Sequence, residues 1–312
     1  GKAAIYNEVG ATATLNGGTY TRSMENGIDA EDNGGNTYYT ILNHGTMTIS
    51  DGVTVNQGAD GNGKYSSLVE NGWYNGNQNG TAAPSIMTIN GGTFGGGLNT
   101  IKNDDYGQLT IKGGTFSSYA QACVLNWNEA TISGGTFDGT RASNGVVLNG
   151  YINATMDKGK LTITGGEFIG NAIVEKMDGS NTSGDIQITG GTFDVKAIAA
   201  LLNEDTLEIT GGNYSVSVPR TYLASSLNAE LRRATGTTPY SYYARVADAT
   251  AAAQPGDTVT DLTIQSGAET YTVTLNYGYG NRITTIKVSE NRTISLPVAA
   301  RSGYDFVGWY SG

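Results

Sequence analysis

One short phrase returns along most of the chain with only its polar letters changed: IMTINGGTF (86–94), QLTIKGGTF (108–116), EATISGGTF (129–137), LTITGGEF (161–168), DIQITGGTF (185–193) and TLEITGGNY (206–214). The first glycine of each pair falls at 17, 91, 113, 134, 165, 190 and 211, and Asp51-Gly52 stands in for one pair. The shortest intervals are 21 and 22 residues, and the others are 25, 31, 34 and 40. A fixed minimum with variable excess describes one structural coil carrying loops of unequal length.

Each unit also holds an earlier apolar segment ending in Asn or a substitute: TILN (40–43), SLVEN (67–71), NTIKN (99–103), CVLN (123–126), VVLN (146–149), AIVE (172–175) and ALLN (200–203). Two short strands bury nothing alone, but stacked coils pair their strands in parallel and enclose an apolar interior. The expected fold is all-β: a right-handed parallel β-helix, or solenoid, over residues 1–217, with the hand taken from the general rule for parallel crossovers. Alternation turns Leu161 and Ile163 inward and Thr162 outward, in a column with Thr14, Thr48, Thr88, Thr110 and Thr131, then Gln187 and Glu208. Tyr20, Phe94, Phe116, Phe137, Phe168, Phe193 and Tyr214 should stack inside about 4.8 Å apart, the spacing of paired strands. Asn7, Asn43, Asn126, Asn149 and Asn203 should form a ladder of amides at one turn.

Repetition fades after Tyr214. Leu223, Leu227 and Leu231, with Pro219 before them and Arg232 and Arg233 after, predict a helix over 219–235 that caps the solenoid. Residues 218–268 then read as cap and connector, with a short helix, a turn and a strand over 248–268.

Charge narrows the function. The net charge is −10, and residues 1–268 hold 14 basic and 25 acidic side chains, a balance that repels nucleic acid. Cys123 is the one cysteine, so no internal disulfide forms, and its apolar setting predicts a buried thiol. No apolar run reaches the ~20 residues of a spanning helix. Gly1 begins inside strand-like sequence, as expected of a fragment whose export signal and anchor lie outside it.

Residues 271–312 contain Ile294 and Leu296 before Pro297, then Gly303, Tyr304, Phe306, Gly308, Trp309 and Tyr310. This P-x5-G-Y-x-F-x-G-W-Y spacing resembles the internalin B-repeat, also called the Listeria–Bacteroides repeat, and the GGTF units resemble regions that precede such modules in exported proteins of Gram-positive gut bacteria. The resemblance implies a small β-rich, β-grasp-like module over 269–312, without the family's last strand, and a secreted or cell-wall-associated location on a bacterial surface.

Insertions concentrate at the corner after the Asn-ending strand, most of all in WYNGNQNGTAAPS (73–85). That corner collects Trp73, Tyr74, Tyr106, Trp127 and Tyr151 in successive coils, beside Asn75, Asn77, Asp104, Asp105 and Asn128. Rings in a row can stack on sugar rings while the amides and carboxylates meet hydroxyls; packing of the loops against the wall is the alternative. Asp29, Glu31 and Asn33 follow the start of a calcium loop, but Thr40 stands where the closing Glu belongs. The expected function is a non-catalytic, monomeric adhesion or binding protein that contacts a glycan or a host surface protein, uses no cofactor unless calcium binds, and inserts in no membrane. A rigid stalk is the first alternative. A polysaccharide lyase or hydrolase is the second, disfavoured because the outward strand positions carry isolated charges such as Lys112 and Glu208, and because no Ser or Cys stands beside His44, the one histidine. The Thr column also raises ice binding, which Gln187 and Glu208 interrupt.

Overall fold

A computed structural model describes residues 3–21, 39–57, 67–73, 83–151, 158–203, 206–263, 270–279, 282–289, 294 and 296–311. The chain divides into two compact units, Gly1–Glu208 and Ile209–Gly312.

In the first unit the chain returns to pair with itself in parallel, one coil further on each time. Strands that end at the ladder position align as Ile5, Ile41, Val69, Ile101, Val124, Val147, Val174 and Ala199. The Leu-Thr-Ile strands align through Thr14, Thr48, Thr88, Thr110, Thr131, Thr162 and Gln187. The Thr-Phe segment after each glycine pair, read from sequence as a corner, is itself a short paired strand, so a coil has three strands rather than two.

Packing explains the repeated letters. Met47, Ile49, Met87, Ile89, Ile111, Ile132, Leu161 and Ile163 have no solvent exposure. The rings of Phe94, Phe116, Phe137, Phe168 and Phe193 lie nearly parallel, with successive centroids 4.9, 4.7, 4.7 and 5.1 Å apart. The glycine pair has a double cause. A Cβ on Gly134 would sit 2.4 Å from the Lys112 carbonyl oxygen of the coil beside it, and Gly135 has φ +104°, which L side chains rarely adopt. Cys123 is fully buried, and burial pushes its thiol up to about 12.

The Asn ladder runs through six coils: each side-chain amide donates to the next, Asn7 to Asn43, Asn71, Asn103, Asn126 and Asn149, over 2.7 to 2.8 Å. At the next coil the alignment corrects the sequence reading by one residue. Glu175 pairs with Leu148, and Lys176 occupies the ladder position beside Asn149. The amide of Asn149 turns instead to the Ser183 carbonyl oxygen, and Asn203, expected in the ladder, lies past it, since Ala200 aligns with Glu175; Asn203 accepts hydrogen bonds from the Ser183 backbone and hydroxyl.

The second unit is a mixed sheet with one α-helix among the described residues. Its strands lie in the order Asn213–Tyr214, Tyr240–Tyr243, Ala229–Arg232, Thr258–Asp261, Ile283–Ser289, Thr270–Asn276, and only the Thr258–Asp261 and Ile283–Ser289 pair is parallel. Ala229, Leu231, Ala249, Val259, Leu275, Ile286 and Val288 form its core. The short helix and strand expected over 248–268 appear as Val246–Ala252 and Thr258–Asp261.

The helix expected over 219–235 does not form. Arg220–Tyr222 is a single 3-10 turn and Ala229–Arg232 is a strand. A spacing of four residues satisfies a period of two as well as a helical one, so Leu223, Leu227 and Leu231 were ambiguous. Sheet partners on both sides of Ala229–Arg232 decide the matter, burying Ala229 and Leu231 while Arg232 stays exposed. No helix among the described residues is long and apolar enough to cross a membrane.

Candidate functional site

The aromatic corner lies immediately after the ladder, where each coil leaves its Asn-ending strand. Trp73 donates its backbone N–H to the Asp105 carbonyl oxygen at 2.9 Å. Its indole lies flat on the His44 ring at 3.6 Å, and the Tyr6 ring meets His44 edge-on at 5.3 Å. The Tyr6 hydroxyl is 3.1 Å from His44 Nδ1. Burial pushes the His44 imidazole down to about 4, against a bond to the Gly72 backbone that raises it, so the ring is neutral at pH 7.

Trp127 packs with Ala122, Leu125, Leu148 and Met177 on the outer side of the Asn-ending strands. Trp73 and Trp127 are 9% and 8% exposed, so packing takes up most of both rings. Tyr106 is half-buried with φ +60°, and its carbonyl oxygen accepts from the Ser85 N–H at 3.0 Å. Tyr151 is half-buried and bridges Thr182 antiparallel. The rings therefore follow one corner of successive coils, each held by its own neighbours. Tyr74, Asn75 and Asn77, and Asp29, Glu31 and Asn33 of the calcium reading, lie outside the described residues.

A charged cluster joins these rings. Glu70 and Lys102 occupy equivalent positions in adjacent coils, where other coils carry Leu42 and Leu125. Lys102 Nζ is 2.5 Å from Asp104 and 4.0 Å from Glu70, with side-chain exposure of 4% or less in all three. The ammonium also lies 5.8 Å from the centroid of Trp127 and 6.0 Å from that of Tyr39. Burial raises the Glu70 carboxyl well above its usual range, Lys102 opposes this, and Asp104 adds to it. With Asp104 in direct contact with Lys102, one buried cation faces two buried carboxyls, and Glu70 holds its proton more tightly than a free carboxyl does. The alternation V-E-N and I-K-N carried the signal for this cluster, because the middle letters of equivalent strands must become neighbours.

The same corner holds buried polar atoms without a hydrogen-bond partner among the described residues: Asp105 Oδ1, Asn128 Oδ1 and the indole nitrogens of Trp73 and Trp127. Among those residues no group of three or more His, Cys, Asp or Glu side chains could hold a metal ion. Donors and acceptors beside aromatic edges suit hydroxyl groups and water better than a bare cation. No family model, curated protein or solved structure matches the chain.

Proposed function

We propose that the chain is a non-catalytic, extracellular part of a bacterial cell-surface protein, a right-handed parallel β-helix whose loop-bearing corner contacts a glycan or a host surface protein. One observation supports this reading: the corner that takes the longest insertion carries Trp73, Tyr106, Trp127 and Tyr151 in successive coils, beside Asp105 Oδ1, Asn128 Oδ1 and two indole nitrogens that are buried without a hydrogen-bond partner among the described residues. Buried polar groups in native proteins are almost always satisfied, and a bound hydroxyl is one way to satisfy them. A glycan and mucin array probed with the intact chain tests the proposal. Trp73→Phe and Trp127→Phe, which keep an aromatic ring and delete the indole N–H, should weaken any positive signal about tenfold. An array without signal, or variants that bind like the parent, would remove the reading.

A rigid spacer is the second reading, favoured by the ladder and the phenylalanine stack, which tie every coil to its neighbours. It predicts an empty array together with cooperative unfolding of the first unit's coils in urea.

A further inference from the structure

The second unit contains a cavity of about 410 Å³, within the range of roughly 300–1,000 Å³ typical of small-molecule sites. Tyr277, Tyr279, Arg301, Tyr304 and Trp309 line it. Trp309 is fixed in its wall: the indole N–H donates to the Pro297 carbonyl oxygen at 2.7 Å, and the ring meets Tyr277 and Phe306 edge-on at 5.2 and 5.6 Å. The Arg301 guanidinium lies against two rings, 3.9 Å from the Tyr304 centroid and 4.6 Å from that of Tyr279. The Tyr279 ring is steadied in turn, since its hydroxyl donates to the Ala300 carbonyl oxygen and accepts from Arg282.

Arg301 forms no ion pair with a carboxylate among the described residues. An arginine pinned between two tyrosines keeps its planar fork of N–H donors, and the partner that matches this fork is a carboxylate bound through two parallel hydrogen bonds. Tyr304 and Tyr310 remain 64% and 81% exposed at the same cavity, and exposed tyrosine faces take the C–H face of a sugar ring. Asp305, also in the wall, can accept from a hydroxyl and disfavours a second anionic group.

We propose that this cavity binds an acidic sugar, with a uronic acid carboxylate on Arg301 and the sugar ring against Tyr304. The site lies wholly within the second unit and does not depend on contact along the solenoid corner.

The test follows the Trp309 indole N–H resonance of the full chain while digalacturonic acid, its methyl ester or maltose is added. Digalacturonic acid should shift that resonance saturably. The ester, which keeps the shape and loses the charge, should bind at least about tenfold more weakly, because a charge-assisted pair becomes a neutral one. Arg301→Ala should lose a similar factor; Arg301→Lys keeps the charge on an exposed stem, guards against a folding defect, and should also weaken binding because the fork is gone. Trp73→Phe should leave this titration unchanged, which separates it from the corner. No saturable shift with digalacturonic acid, equal affinity for acid and ester, or full binding by Arg301→Ala would overturn the proposal.

Discussion

At the scale of single residues, the ladder asparagines show how one amide serves two coils. Asn103 Nδ2 reaches Asn126 Oδ1 at 2.8 Å and the Gly107 carbonyl oxygen at 3.1 Å, both buried, and the part-buried Glu129 carbonyl oxygen at 2.9 Å. Asn103→Leu should therefore cost about 1–3 kcal/mol, since it strands a buried acceptor on Asn126 and a buried donor on Asn71; urea unfolding measures this. Two titrating groups give stability opposite slopes with pH. Glu70 binds its proton more tightly in the fold, so its contribution is full below about 4.5 and declines as pH climbs from there to its raised folded value. His44 binds its proton less tightly in the fold, so its contribution is full above 6.5 and declines as pH falls toward about 4. Melting curves across pH should flatten on the alkaline side in Glu70→Gln and on the acid side in His44→Gln. A profile left unchanged by Glu70→Gln would mean that the fold does not tighten its hold on the Glu70 proton.

The elements are held by identical side chains meeting at strand spacing, and this is where the sequence was most legible. Phe137 stacks between Phe116 and Phe168 at 4.7 Å on both sides without exposure. Phe137→Ala should cost about 3–5 kcal/mol, the range for deleting a fully buried ring, with Phe137→Leu clearly milder. Calorimetry of the two variants checks the order, and equal losses would show that the stack is not a packed column. The ring spacing from Phe94 to Phe193, the outward threonines and the Asn column from Asn7 to Asn149 could be read in advance because a parallel in-register stack places equal letters side by side. Other features escaped that logic, among them Val55, which separates Tyr20 from the ring stack. Lys176 replaced Glu175 in the ladder because a continuous strand, Glu167–Lys176, sets its own register. Ala229–Arg232 became a strand because pairing partners distant in sequence outweigh a local pattern compatible with two periods.

For the molecule as a whole, charge and the division into two units set what it can meet. The net charge of −10 repels polyanions at long range, so the chain should pass unretained through a heparin column at about 50 mM salt, where steering is strongest. Retention would expose a basic face that the composition conceals. The cavity in the second unit is an exception in kind rather than in net charge, because one arginine held between two rings recognises a carboxylate at contact distance.

By itself the sequence determined the repeat length, the all-β class and the residues that line each column, because those follow from alternation and from stacking like on like. Tertiary structure alone decided how deeply the corner is filled. Trp73 and Trp127 look identical in sequence to exposed sugar platforms, yet His44 and Lys102, brought from neighbouring coils, cover them. Burial of a ring depends on which side chains the coils above and below bring to it, and that is a property of assembled coils rather than of any one of them.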